Sequence, residues 1–176
     1  MIATTTTTRH RVLMTDVDLV HVNYTRMFVW MDHGFTQLLH DLKHPSSLLL
    51  RQGWSTPVVD SHCNHLRPVT LDDEFTLVSQ VIEVGRSSFV VGHDFIDAAG
   101  LFARGECRHV WIRTHPQHKA VDVPDWLRQA LVPRGTAPIG HGKSRSTEGI
   151  SFEGAADLVP DATLLHPQAG MNPDSR

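Results

Sequence analysis

The chain has 176 residues, a formal charge of −3 at neutral pH, and 40% hydrophobic against 20% charged residues; that is room for one ordinary domain and little room for two. So balanced a charge offers no basic field to nucleic acid, and no apolar run nears the roughly 20 residues that span a bilayer, so neither nucleic acid nor membrane is an expected partner. Met1-Ile2-Ala3 and the five threonines after it lack the charged and apolar regions of a secretory signal. Two cysteines, Cys63 and Cys107, are too few for a disulfide framework, so a reducing cytoplasm is the expected setting, with one bridge between them left open.

Thr4 to Thr8 is low-complexity, so residues 1–8 are expected to form a flexible lead-in and Arg9–Met14 a short strand. A polar turn, Thr15-Asp16-Val17-Asp18, and the segment His21-Val22-Asn23 follow. From Tyr24 to about Leu42 the apolar residues Met27, Phe28, Met31, Phe35, Leu38, Leu39 and Leu42 recur at three- and four-residue steps, the stripe of an amphipathic helix. Asn23 suits its N-cap. Gly34 costs that helix about 1 kcal/mol relative to Ala, which a close approach to a sheet would explain.

Past Gly53 the period changes to two. Strands are expected over Thr56–Leu66, Glu74–Val84, Ser88–Asp97 and Leu101–Thr114, separated by turn chemistry at Pro68 and Asp72-Asp73, at Gly85-Arg86 and at Asp97-Ala98-Ala99-Gly100. Short connections between the last three imply an antiparallel meander. A helix with one apolar face beside a sheet with one face to hide gives a two-layer α+β domain. A short helix from about Pro124 to Leu131 closes it. Residues 132–176, rich in Gly, Pro, Ser and Asp and without a period, read as a disordered tail that folding and catalysis do not need.

The thirteen histidines invite a metal site, yet the sequence points to none. His40 and His44 share a helix face, but His44 precedes Pro45, where a helix normally ends. His62 and His65 point to opposite faces of a strand, and no His-Glu-x-x-His or paired Cys-x-x-Cys motif occurs. The chemistry concentrates instead in Thr15–Met27, where two carboxylates, Asp16 and Asp18, stand with His21 and Asn23 at a strand-to-helix turn. A thioester hydrolase needs a carboxylate to activate water or to attack the carbonyl, and donors for an oxyanion, which a helix start supplies. The plainer alternative is an Asx-type turn with Asn23 as cap alone.

This stretch resembles the signature of the 4-hydroxybenzoyl-CoA thioesterase family, Asp-x-Asp-x-x-Gly-His-Val-Asn-Asn-x-x-Tyr. Asp16, Asp18, His21, Val22, Asn23 and Arg26 match its commonest form, with Met27 where an aromatic is usual. Leu66-Arg67-Pro68 with Asp72-Asp73-Glu74 looks like the family's turn between its second and third strands. Arg86-Ser87-Ser88-Phe89 resembles the start of its next strand, and Val123-Pro124-Asp125-Trp126-Leu127 its C-terminal helix start. The resemblance covers about residues 9–131 and implies a hotdog fold, a long central helix wrapped by a five-stranded antiparallel sheet. It also implies acyl-CoA hydrolysis, Asp18 as the catalytic carboxylate, and a homodimer or homotetramer with sites between subunits; no cofactor is expected. The chain departs from the pattern in lacking the glycine before the histidine. Val20 stands there and would resist a positive φ, so Asp16 stays an alternative to Asp18.

Asp32, two turns beyond Asn23, is a candidate second carboxylate or a solvated helix residue. His62 and His65 read as satisfied sheet histidines. Arg86 and Ser88, with Arg104, Arg108 and Arg113, are candidates for the phosphates of coenzyme A; an ordinary charged sheet edge is the alternative, and phosphate binding is favoured for Arg86 and Ser88 only. The first reading is thus an acyl-CoA thioesterase. The second takes its substrate from an acyl carrier protein, and the third is a non-catalytic domain that senses acyl-CoA. A hotdog hydratase is disfavoured, because its Asp-x-x-x-x-His run is matched by Asp16 and His21 in spacing alone.

Overall fold

Threonine is β-branched and suits a pleated strand. In the computed structural model, which describes residues 5–19, 21–116 and 118–132, the threonines open strand β1, Thr5–Arg11. The expected lead-in therefore belongs to the sheet from Thr5 onward. Thr6 is buried, and its hydroxyl donates to Asp41 Oδ2 at 2.8 Å, tying the first strand to the far end of the long helix. The strand also stops at Arg11, short of Met14, because Val12 turns into the core and Met14–Asp16 winds into a 3-10 turn. A two-residue hairpin, β2 (Val17–Asp18) and β3 (His21–Val22), leads into helix α1, Tyr24–Asp41.

The apolar stripe of α1 is buried as its spacing predicts, with Trp30 added to Met27, Met31, Phe35, Leu38 and Leu39. A second helix, α2 (Ser46–Arg51), was not expected. Three contiguous leucines show no period over so short a run. Then come β4 (Trp54–Ser55), β5 (Val58–His65), β6 (Glu74–Val84), β7 (Ser88–Asp97) and β8 (Gly100–Val110). Last are β9 (Ile112–Arg113), β10 (Lys119–Ala120) and α3 (Asp125–Gln129). Residues 133–176 of the expected tail lie outside the described residues.

The main sheet runs β1-β6-β7-β8-β5, antiparallel throughout. Alternation sends Phe75, Leu77, Ser79 and Val81 of β6, and Phe89, Val91, His93 and Phe95 of β7, toward α1. Each large side chain so buried contributes about 1.5–3 kcal/mol. A Cβ at Gly34 would lie 2.8 Å from Leu77 Cδ2, 3.3 Å from His93 Nδ1 and closer still to Ser79 Oγ. Only glycine lets the helix sit this low on the buried Ser79–His93 pair, whose Oγ and Nδ1 are 2.9 Å apart. The back of the sheet carries charge instead: Arg104 bonds Asp94, Arg108 bonds Glu83, and His62 lies 3.8 Å from Glu106.

The free edge at β5 is exposed along its length, including Val58 and Val59, each more than half exposed. A separate three-stranded sheet, β10-β9-β4, continues beyond the end of β8. Among the described residues no helix is long and apolar enough to cross a membrane.

Candidate active site

Asp16 and Asp18 lie two residues apart but in opposite environments. Asp16 is 2% exposed. Its Oδ2 accepts the Leu13 N–H at 2.9 Å, and its carbonyl accepts the Asn23 N–H at 2.8 Å. Its Oδ1 is 2.6 Å from Arg26 Nε, an ion pair too bent to count as a hydrogen bond. Every acceptor of Asp16 is thus committed to joining the end of β1 to the first turn of α1.

Asp18 is exposed on the short hairpin, opposite His21. Its Oδ2 accepts from Asn23 Nδ2. The Asn23 Oδ1 in turn accepts the Thr25 N–H at 2.8 Å and the Thr25 hydroxyl at 2.6 Å. The asparagine therefore does two jobs: it caps α1, and its amide group holds the Asp18 carboxylate over the helix start. Arg26 N–H is taken by the Asn23 carbonyl at 2.9 Å. Among the described residues the Tyr24 N–H has no acceptor, so one donor of the first turn stands open beside Asp18. The hairpin closes without the missing glycine because Leu19, fully exposed, takes the positive φ (59°). A left-handed leucine costs of order 1 kcal/mol.

His21 also lines a cavity of about 440 Å³ together with Met27, His65, Arg67, Val69 and Phe102. Arg67 is fixed there by Asp97 and by the Gly100 carbonyl at 3.1 Å, with its guanidinium 5.5 Å from the Phe102 ring centre. The Arg67 hydrogen bond holds the Asp97 carboxyl below its usual range. The cavity opens between the start of α1 and the end of β5, and His21 in its wall pairs with Asp18 across the hairpin.

The other expected residues are not brought here within one chain. Asp32 is exposed nine residues along α1 from Asn23, about 13 Å at helical rise, on the side where its charge is felt by Cys107 and His109. Arg86 and Ser88 sit at the β6–β7 hairpin and the start of β7, whereas the cavity lies near the end of β7. The nine steps from Ser88 to Asp97 span roughly 30 Å. Arg104 and Arg108 point to the back of the sheet and are held by Asp94 and Glu83. His62 is on that back face too, but His65, read as an ordinary sheet histidine, lines the cavity. Arg67 was seen in the sequence only as part of a turn; a cation between an apolar strand end and Pro68 was the signal that could have marked it.

Cys63 and Cys107 are both free. Burial pushes each thiol up to about 11, which keeps it protonated and inert. His109 donates or accepts at Nδ1 with the Thr56 carbonyl, 3.0 Å away; a carbonyl can only accept, so Nδ1 carries the proton. Burial holds His109 below the ordinary histidine value, and its ring stacks on Phe35 at 4.0 Å. Among the described residues no group of three or more His, Cys, Asp or Glu is placed to hold a metal.

A family model described as the thioesterase-like superfamily matches residues 12–131. Among solved structures, a gentisyl-coenzyme A thioesterase superposes with a TM-score of 0.64 at 25% identity, over 72% of this chain and 100% of its own. A 1,4-dihydroxy-2-naphthoyl-CoA thioesterase from Synechocystis gives 0.65 at 19%, over 72% and 95%. A mutant 4-hydroxybenzoyl-CoA thioesterase complexed with 4-hydroxybenzoyl-CoA gives 0.65 at 22%, over 73% and 99%. The last two likenesses show the fold alone. No curated protein matches.

Proposed function

Because the chain belongs to the thioesterase-like superfamily, and is by that membership and its hotdog fold a thioester hydrolase, we propose that it hydrolyses an acyl-CoA at the start of α1 with Asp18 as the catalytic carboxylate. The observation that carries this assignment is the contrast between the two aspartates. Asp16 is buried with all its acceptors engaged, whereas Asp18 is exposed and aimed by Asn23 beside an open backbone donor.

With the thioester carbonyl at the first turn, the Tyr24 N–H and the helix dipole face the charge that develops on its oxygen. Asp18 either takes the proton of a water that adds to the carbonyl, or attacks the carbonyl itself and is released by water. The thiol of coenzyme A leaves, and the acyl group occupies the cavity beside Met27 and Phe102. His21 and His65 give that cavity polar walls.

The site is completed by a second copy. β5 offers a full row of unpaired backbone groups with Val58 and Val59 exposed beside it. Leu13, Met14, Leu19, Tyr24 and Leu66 are exposed around the helix start, an apolar rim of the kind that marks an interface. Two-fold pairing along β5 covers both and runs antiparallel. It sets Arg86 and Ser88 of one protomer toward Asp18 of its partner, where they can receive phosphates. The inert thiols support a cytoplasmic setting. A carrier-protein thioester is the alternative substrate. The non-catalytic reading draws on the departure of this loop from the family pattern; the positive φ of Leu19, which lets the hairpin form without the glycine, favours the catalytic one.

The test is turnover of a panel of short, long and aromatic acyl-CoAs, read by free thiol. Asp18→Asn is expected to lose about 10²-fold or more in kcat with binding retained. Near-wild-type turnover in that variant would overturn the assignment. Mixing Asp18→Asn with a binding-dead Arg86 variant should restore part of the activity, and a fully active monomer by light scattering would exclude the shared site.

A further inference from the structure

The cavity beside the helix start has a one-sided lining. Met27, Val69 and Phe102 give it apolar walls, and its polar side chains are His21, His65 and Arg67. No Asp or Glu side chain lines it. All three polar groups carry nitrogen, and an arginine has only donors to offer. Among the described residues the rings of His21 and His65 have no hydrogen-bond partner, and neither Nε nor Nη1 of Arg67 has an acceptor.

Arg67 is held in place by its backbone and by one nitrogen. The Leu66 and Arg67 N–H groups both donate to the Phe102 carbonyl, at 2.8 and 3.3 Å. Nη2 alone makes the bonds to Asp97 and to the Gly100 carbonyl. Asp97 is itself committed to the turn, since its Oδ1 also accepts the Ala99 N–H at 2.7 Å. A side chain that only stapled this turn would need no more than Nη2. The Arg67 side chain keeps 34% of its surface exposed, so its other donors are reachable from the cavity that it lines.

We propose that Arg67 selects acyl groups that end in a carboxylate, the CoA half-esters of dicarboxylic acids, with His21 and His65 as further donors. This rests on the acyl-CoA reading given above, with the acyl group in this cavity. The methylene chain packs on Met27, Val69 and Phe102, and the terminal carboxylate meets the guanidinium donors that Asp97 leaves open. Charge-assisted bonds of this kind are stronger than neutral ones, and a guanidinium suits a carboxylate in shape. A plain alkyl end would strip water from those donors and give nothing in return. A hydroxyl end is the weaker match, because it brings no charge. Asp18 at the helix start repels an anion, so the two ends of the substrate are told apart.

The experiment measures kcat/KM of wild type and Arg67→Gln on matched CoA esters: glutaryl against pentanoyl, adipoyl against hexanoyl, and suberoyl against octanoyl. The members of each pair are equal in carbon number and differ in the terminal carboxylate. Wild type should favour the carboxylate member of at least one pair by about tenfold or more. Arg67→Gln should cut that preference about tenfold, the loss of one charge-assisted contact, and Arg67→Lys, which keeps the cation, should hold more of it. The preference is a ratio taken on one preparation, so partial unfolding of a variant lowers both rates and leaves the ratio alone. A wild type without a carboxylate preference in any pair would overturn the proposal. So would an Arg67→Gln ratio equal to that of wild type, or a wild-type kcat/KM higher on 4-hydroxybenzoyl-CoA than on every dicarboxylic ester. If wild type cleaves none of these esters, calorimetric binding of the same pairs separates the two ideas. A carboxylate preference in binding that Arg67→Gln removes leaves the pocket standing while the hydrolase reading falls; no preference in binding overturns the pocket as well.

Discussion

Gly34→Ala tests how α1 is seated. Alanine is the better helix former by about 1 kcal/mol, so on propensity alone the substitution stabilises. The added Cβ, however, meets Leu77 Cδ2 at 2.8 Å and presses on Ser79 Oγ. Neither can retreat, because Leu77 and Ser79 are both fully buried. Overpacking of this kind costs about 1–3 kcal/mol. If Ser79 turns away it also leaves His93 Nδ1, and losing that buried bond costs about 1–3 kcal/mol more. The net expectation is a loss of about 2–4 kcal/mol, a fall in thermal midpoint of roughly 10 °C for a domain of this size, measured at fixed protein concentration so that any assembly is held constant. Adding Ser79→Ala should recover part of the loss, so the double variant is less damaged than the two single effects combined. A Gly34→Ala protein more stable than wild type by about the propensity gain would refute the close seating of the helix.

Asp16→Asn is expected to destabilise by about 2–3 kcal/mol, since it removes the charge that Arg26 faces and weakens the bond to Leu13. Chemical denaturation should show the loss, while kcat per folded molecule stays within a few fold, unlike Asp18→Asn. The pH dependence follows from His10, His44 and His109, each held below the ordinary value of 6.5 chiefly by burial. A depressed folded value means that the unfolded chain binds protons first. Stability is therefore complete above about pH 6.5 and falls as the pH drops below it toward the folded values. His109→Gln should flatten that slope, and a denaturation midpoint independent of pH between 7 and 5 would contradict it.

The sequence showed those parts of the fold that carry a period. Glu74–Val84 and Ser88–Asp97 form strands with the expected bounds, and α1 begins at Tyr24, as its cap predicts. Where periodicity is lost, so was the reading. The threonines of β1 show no apolar alternation, because on that strand a buried hydroxyl, Thr6, bonds to Asp41. Leu48, Leu49 and Leu50 in α2 fill barely more than a turn. The last strand was read as continuous to Thr114, but it breaks at Trp111, which leaves the main ladder to become core. In the site, the resemblance implied Asp18 with Asp16 as the alternative, but the different surroundings of the two aspartates were not legible. The burial of Asp16 comes with Arg26, ten residues away and one helical turn into α1. The cavity wall at Arg67 is set by Asp97, thirty residues distant.

The charged back of the sheet bears on how the strands find their alignment. A slip of one residue is ruled out by the core, since it would turn every inward side chain outward. A slip of two keeps the alternation intact, so apolar burial alone does not forbid it. The back-face pairs do. Moving β8 by two against β7 would set Arg104 opposite Gly92 or Ile96 in place of Asp94, carry Arg108 away from the row that Val90 shares with Glu83, and part Glu106 from Gly92. Ion pairs at a sheet surface, exposed like Arg108–Glu83 or half-buried like Arg104–Asp94, contribute on the order of 1 kcal/mol or less each, too little to hold the fold. That is enough to bias competing registers that the interior treats as nearly equal, so these charges work as alignment marks.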